Sequence, residues 1–399
     1  MKNQWVVFAP SGKWQMEGIF CAKKLGYKIL SIDNDKEAQG FKISDLNLVF
    51  ELNQYEEIFK EIESLNINLI TAISFCSDVG IELCAVIRGK FNLGGYDIKT
   101  AISLTNKKYQ RLAWKKNKVY PPIKWKSFKT SYHALNYLKK NNSKNIIKPV
   151  DSSGSRGISV FEKFDNNTPG LIDFAFSLSK SKEIIIEEYF HGDEFTVEVF
   201  VQNNVFTILC ITKKNKLISS NYTVSSEIFT VRLNKKLTYK IEKLIEKASR
   251  ALNYYNGIIH SEILINEKDE IFLIEMAARG GGFGLNHYFV SGVTGLNISE
   301  LTIKNFLFQK FNKIKSKNLN AYMRFIPKTN GTLKKIEIDK KIQELEEIKI
   351  ELFNKEGDFL QTNNSDGDRI GLIIGFAINI ESAKKKVDEA YRSIKIIME

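Results

Sequence analysis

The residues of this 399-residue chain best placed to do chemistry lie between Gly257 and Arg279. Two apolar runs, 257–265 and 270–277, flank Lys268-Asp269. Reading that pair as a two-residue hairpin loop sets Glu262 opposite Glu275 and His260 opposite Ala277. Directly opposed residues have Cβ atoms about 4.5–5.5 Å apart, and like charges so placed are destabilising. With a strand period of two, His260, Glu262, Leu264, Leu273, Glu275 and Arg279 share one face. Ile259, Ile263, Ile265, Phe272, Ile274 and Met276 take the other, the core face. Two carboxylates opposed over an otherwise apolar hairpin attract a cation. Hard oxygen donors favour Mg²⁺, which is commonly bound by one or two carboxylates together with substrate phosphates. A solvated face with lysine neighbours is the competing reading, and His260 by itself reads as a structural histidine.

A second stretch, Lys148-Pro149-Val150-Asp151-Ser152-Ser153-Gly154-Ser155-Arg156-Gly157, joins two apolar runs. Small residues there let backbone N–H groups close on an anion, and Lys148 and Arg156 add charge. A plain flexible hairpin loop is the alternative. A third stretch, 184–194, runs an apolar strand into a turn carrying several carboxylates. Such a turn could offer backbone groups to a base and a carboxylate to ribose hydroxyls, although alone it reads as a hairpin. The common nucleotide fingerprints are missing. Val7 stands where the first Gly of a P-loop ending in Gly12-Lys13 would be, and no GxGxxG opens a helix after a strand.

These residues need a scaffold. In the first hundred residues, apolar runs (5–9, 27–32, 48–52, 69–74) alternate with helical patterns (one stopping at Gly26, then 55–65 and 80–88). That alternation implies βαβ units and a parallel sheet. Ligands of such sheets bind at the carboxyl ends of strands, which puts 10–13 and 74–78 beside a crevice. A basic helix, 107–118, ends at Pro121-Pro122. From 145 the texture changes to longer strands (145–150, 158–163, 183–190, 194–201, 205–212), a helix at 237–252 and the carboxylate hairpin. Beyond 318 come short strands (321–326, 348–353, 370–378) and a helix from 382 to about 394. The fold class is therefore α/β followed by α+β.

Composition narrows the partners. Hydrophobic residues make up 43% and charged residues 26%, as in a soluble globular chain. Lys+Arg 59 against Asp+Glu 46 gives +13, which admits nucleic acid, a membrane surface or a phosphorylated ligand. Most of that excess lies in Lys-rich stretches that read as solvated helix faces. Cys21, Cys76, Cys84 and Cys210 form no CxxC pair and no His cluster completes a zinc set, so buried free thiols are expected. The apolar run 370–380 falls far short of the roughly 20 residues of a membrane span. The 5–9 run is too short for a signal sequence, and a soluble cytoplasmic protein is expected.

In their order and spacing the three stretches, with Asn106-Lys107 at the head of a helix, resemble the ATP-grasp superfamily of carboxylate–amine ligases. The resemblance covers the central half of the chain. It implies a Rossmann-like parallel-sheet domain (1–103) and a central ATP-grasp domain (104–315), with a small lobe at about 120–190 and a large lobe at about 191–315. A small C-terminal α+β cap (316–399) would follow. The implied cofactors are ATP and Mg²⁺, or Mn²⁺ in its place. Lys107 and Lys148 would contact the α/β phosphates, and Ser152, Ser153, Gly154, Ser155, Arg156 and Gly157 would close over the β/γ phosphates. Glu187 would lie near the adenine amino group, the backbone of Glu188, Tyr189 and Phe190 would hold the ring edge, and Glu194 would bind the ribose. Glu262 and Glu275 would hold one or two metal ions. Arg279, acting with Lys148 in catalysis, would steady the transferred phosphate or the acyl intermediate. Many members carry Asn where this chain has Ala277, which leaves a second metal less completely held. The form of 275–282 resembles amino-acid-ligase-like members more than carbamoyl-phosphate synthetase or biotin carboxylase types.

The implied chemistry accounts for the parts. A carboxylate resists amines because oxide is a very poor leaving group, whereas an acyl phosphate made from ATP loses inorganic phosphate. That transfer asks mainly for positioning and charge neutralisation. No Ser/His/Asp or Cys/His set is evident, consistent with direct attack by the amine. The expected activity joins a small-molecule carboxylate to an amine, with no nucleic-acid or membrane partner and, by the resemblance, as a homodimer. Rival readings are a bicarbonate-activating enzyme, a basic nucleic-acid-binding protein using 107–118 and 304–317, and a nucleotide-binding scaffold without catalysis.

Overall fold

The computed structural model describes residues 3–119, 123–141, 143–218, 223–308, 317–362 and 366–399. The Pro121-Pro122 stop lies outside the described residues; the basic helix runs Lys107–Lys116.

Strands β1 (Gln4–Phe8), β2 (Lys28–Asp33), β3 (Leu46–Val49) and β4 (Asn68–Ile73) form a parallel sheet in the order β3-β2-β1-β4. Alternation sends Val6 and Phe8 to one side and Val7 to the other. Helix Met16–Lys24 covers the first side, and helices Tyr55–Ser64 and Ile81–Lys90 cover the second. Burial on both faces is what a parallel sheet requires. The expected strand at 48–52 forms earlier, and the helix Ile98–Thr105 has no counterpart in the sequence reading.

The small lobe is an antiparallel sheet of β5 (Trp125–Phe128), β6 (Asn145–Pro149), β7 (Ser159–Phe161) and β8 (Ile184–Glu188), ordered β5-β8-β6-β7. Helices Ser131–Lys139 and Thr168–Ser177 pack on Phe128, Ile147, Phe161, Ile184 and Ile186. The opposite face presents Ile146, Lys148, Val160 and Glu187 to a cleft.

The remaining strands are β9 (Asp193–Gln202), β10 (Val205–Ile218), β11 (Thr223–Thr230), β12 (Gly257–Ile265), β13 (Ile271–Ala277), β14 (Asn320–Pro327), β15 (Gly331–Glu337), β16 (Ile348–Leu352), β17 (Phe359–Leu360), β18 (Arg369–Ala377) and β19 (Lys395–Met398). Eight of them make one sheet, β13-β12-β9-β10-β11-β14-β18-β16, so the large lobe and the C-terminal section share a continuous surface. Helix Lys235–Ala251 buries Leu237, Ile241, Ile245 and Ala248, a stripe at helical spacing, against Val197, Val199, Ile259 and Ile263. Segment 285–298 covers the other face through Leu285, Phe289 and Ile298 over Phe200, Ile258 and Met323. Ile303, on helix Ile298–Phe306, joins the core beneath helix Met16–Lys24 and so docks the N-terminal domain.

All four cysteines are free and buried. Among the described residues no helix is long and apolar enough to cross a membrane. Ile241 is fully buried under the large sheet. Ile241→Ala should therefore cost about 2–5 kcal/mol of stability, read as a lowered denaturant midpoint at unchanged slope.

Candidate functional site

The carboxylate hairpin has Glu262 opposite Glu275 and His260 opposite Ala277, as expected, but the route differs. The loop is the three residues 267–269, not two: the Asn266 amide donates to the Glu270 carbonyl (3.1 Å), and Asp269 takes a left-handed φ of 55°. The Asn266 side chain accepts from the Lys268 and Glu270 amides, both at 3.0 Å. Pairs near the loop are accordingly shifted by one, with Ile263 opposite Leu273 and Ile265 opposite Ile271. A bulge at Ile274 restores the Glu262–Glu275 pairing. The extra residue breaks the two-residue period. Leu273 therefore enters the core, while Phe272 and Ile274 turn to the cleft, reversing the faces expected for all three.

Between the lobes lies a cavity of about 440 Å³. Every expected nucleotide or metal residue lines it except Gly157, and Arg279 sits in the adjoining chamber. Gly157 acts beneath the loop instead. Its φ is 77°, and a Cβ there would lie 2.7 Å from Pro149 Cγ, so only glycine lets the loop leave the strand at this angle.

The cations are held by the fold. Asn106 caps helix Lys107–Lys116, accepting from the Lys108 (3.0 Å) and Tyr109 (3.3 Å) amides. Gln110 bonds the Met276 backbone in both directions, at 2.7 and 3.2 Å, which fixes the helix head beside β13. Lys107 Nζ thereby lies 2.7 Å from Glu275 Oε2 and 2.7 Å from the Ser152 carbonyl. On the other strand, Lys214 bridges Glu262 and Glu194 (3.1 Å to the latter), and Lys216 also holds Glu194. Burial opposes ionisation of Glu262, but Lys214 and His260 keep its carboxyl well below the ordinary range. His260 itself is a structural residue: its Nδ1 bonds the buried Glu198 and its Nε2 lies 3.7 Å from Glu262.

Glu187 has partners other than those expected. Fully buried, it receives Arg111 Nε at 2.6 Å and Lys148 Nζ. Burial alone would raise its carboxyl, but Arg111 and Lys148 bring it down to about 2. Its charge thus holds Lys148 in place on the cavity wall. The Glu188 and Tyr189 amides already donate to the Lys124 (2.9 Å) and Lys144 (3.0 Å) carbonyls, so these two donors belong to the sheet. Arg279 forms a forked pair with Asp78 of the N-terminal domain, 2.8 Å from Nε and 2.6 Å from Nη2. Burial opposes both charges, yet the pair holds the Asp78 carboxyl below and the Arg279 guanidinium above their ordinary ranges.

Five further residues complete the site: Asp78, Arg111, Lys214, Lys216 and Asp366. Arg111 follows Lys107 by one helical turn, and Lys214 and Lys216 alternate along β10, so both signals were present in the spacing. Asp366 gave none. It accepts from Ser155 Oγ (3.0 Å), the Ser225 amide (2.9 Å) and Arg369 Nη2 (2.6 Å), fastening the glycine-containing loop to the C-terminal section. Glu262 and Glu275 suit a divalent cation, being hard oxygen donors in direct register on the cavity wall. Among the described residues no cluster of three or more His, Cys, Asp or Glu completes such a site, which leaves the remaining positions to phosphate oxygens or water. Asp366→Asn should loosen the loop and weaken ATP binding roughly three- to ten-fold, given about 1 kcal/mol per hydrogen bond. Calorimetry on a variant with unchanged circular dichroism reads this, and unaltered affinity would reject the clamp.

The sequence pattern of the ATP-grasp domain matches residues 142–287. A formate-dependent phosphoribosylglycinamide formyltransferase of Prochlorococcus marinus is 24% identical over 405 residues, covering 97% of this chain and 95% of that one. The crystal structure of L-amino acid ligase from Bacillus licheniformis superposes with a TM-score of 0.84 at 19% identity, covering all of both chains. Phosphoribosylglycinamide synthetase from Anaerococcus prevotii gives 0.77 at 22% identity, again over all of both chains. Residues 142–287 thus match the ATP-grasp domain, and the solved structures share the fold of the whole chain.

Proposed function

We propose that this protein is an ATP-dependent ligase that activates a small-molecule carboxylate as an acyl phosphate for attack by an amine, releasing an amide, ADP and phosphate. The observation that carries the reading is the meeting of four groups on one cavity wall: opposed Glu262 and Glu275, each with its own lysine, beneath the 152–156 loop. Glu262 and Glu275 would hold Mg²⁺, which neutralises charge on the phosphates when bound. Lys107 and Lys148 flank the phosphate path, and the loop tied to Asp366 keeps water from the activated acid. Arg279, locked on Asp78, presents a fixed positive charge to the adjoining chamber. Cys76 also faces that chamber, but burial pushes its thiol up to about 12, so it stays protonated and is a poor nucleophile. The amine of the second substrate is then the attacking group.

Glu275→Gln keeps the shape of the side chain and removes its charge. ADP release should fall by about two orders of magnitude or more while the circular dichroism is retained, in line with losing a group that stabilises transition-state charge. Undiminished turnover would overturn the metal assignment.

A further inference from the structure

A second chamber of about 860 Å³ opens from the carboxylate pair toward the N-terminal domain and the C-terminal section. It shares Ser153, Gly154, Arg156, Lys214, Glu262, Glu275 and Asp366 with the nucleotide cavity, so whatever sits in it reaches the phosphate-transfer end.

Most of its charges are already matched. Lys214 holds Glu262, Arg279 holds Asp78, and Arg369 holds Asp366. Of the three left, His260 holds Glu198, Glu275 holds Lys107, and Arg156 closes on the Ser153 carbonyl at 3.0 Å with no carboxylate partner among the described residues. A phosphate monoester carries close to two negative charges and would need cations free to receive it. This wall offers one such cation, Arg156 on the loop, and pairs elsewhere.

Much of the rest of the wall is apolar. Trp14, on the first loop of the N-terminal domain, meets Phe283 edge-on with centroids 5.7 Å apart. Phe283 lies 6.5 Å from Phe325, and the Arg369 guanidinium caps that pair, 3.5 Å above Phe325 and 4.6 Å above Phe283. From the small lobe, Phe174 and Leu178 face the chamber with 37% of their surface exposed each. A buried donor also stands here: Arg369 is 5% exposed, and its Nε has no partner among the described residues.

Building on the ligase reading, we infer that the chamber takes an unphosphorylated amino acid with an aromatic or branched apolar side chain. An amino acid brings one charge of each sign to a wall whose charges are nearly all paired. Its carboxylate supplies an acceptor for a guanidinium donor, and its side chain covers the rings.

The test uses the full chain with ADP and Mg²⁺ present, titrated by calorimetry with L-phenylalanine, L-leucine, glycine and ribose 5-phosphate. L-Phenylalanine and L-leucine should bind roughly ten-fold or more tightly than glycine, the range a buried apolar group provides. Ribose 5-phosphate should neither bind nor compete. Phe283→Ala should weaken L-phenylalanine roughly ten-fold with ADP affinity unchanged. Should that variant fail to fold, Phe174→Ser, on an exposed helix position, should weaken it in the same direction. Equal binding of glycine and L-phenylalanine, no binding of either, or competition by ribose 5-phosphate would overturn the inference. ADP release with Mg²⁺-ATP is scored separately. Selective amino-acid binding without ADP release would uphold the chamber and reject the ligase reading. ADP release only with phosphorylated compounds would uphold the ligase reading and reject the chamber.

Discussion

Two carboxylates in direct register on one hairpin are the constraint around which this molecule is arranged. Glu262 and Glu275 repel each other unless cations lie close, and the fold supplies a lysine to each from a different element. Lys107 arrives on a helix that Gln110 fastens to β13, and Lys214 arrives on the strand two places along the sheet. The β5-β8-β6-β7 sheet, on the other side of the cavity, repeats the pairing with Glu187 between Arg111 and Lys148. Once one charge of a buried set is present, the others are required, because a buried unpaired charge costs several kcal/mol.

How much of this could be read from the sequence depended on distance along the chain. The Glu262–Glu275 register follows from a hairpin, whose geometry is local, although the loop length and the bulge were both misjudged and their errors cancelled at the site. The first-domain elements followed from periodicity, since a sheet buried on both faces writes itself as apolar runs. The roles of Arg111 and Lys214 were hidden by composition. In a chain with 59 Lys and Arg residues, the few cations aimed inward look like the many solvated ones. Asp366 was beyond reach, because its bond to Ser155 spans 211 positions and no periodicity links the two.

The N-terminal domain takes part in the site through side chains and not through a nucleotide fingerprint. Asp33, at the end of β2, accepts the Ser11 amide at 2.7 Å and so holds the first loop. Lys13 turns away to the Leu352 carbonyl (2.7 Å) and Glu351 (2.8 Å), joining this domain to β16. With Arg279 locked on Asp78, the first domain is pinned on both sides of the second chamber. Its job is to close a wall.

The bulge at Ile274 has a mechanical meaning. It resets the alternation of β13: before it Leu273 faces the core and Phe272 the cleft, and after it Met276 faces the core and Glu275 the cleft. The three-residue loop and the bulge are thus geared together: each displaces the register by one residue, and the two glutamates meet only because both are present.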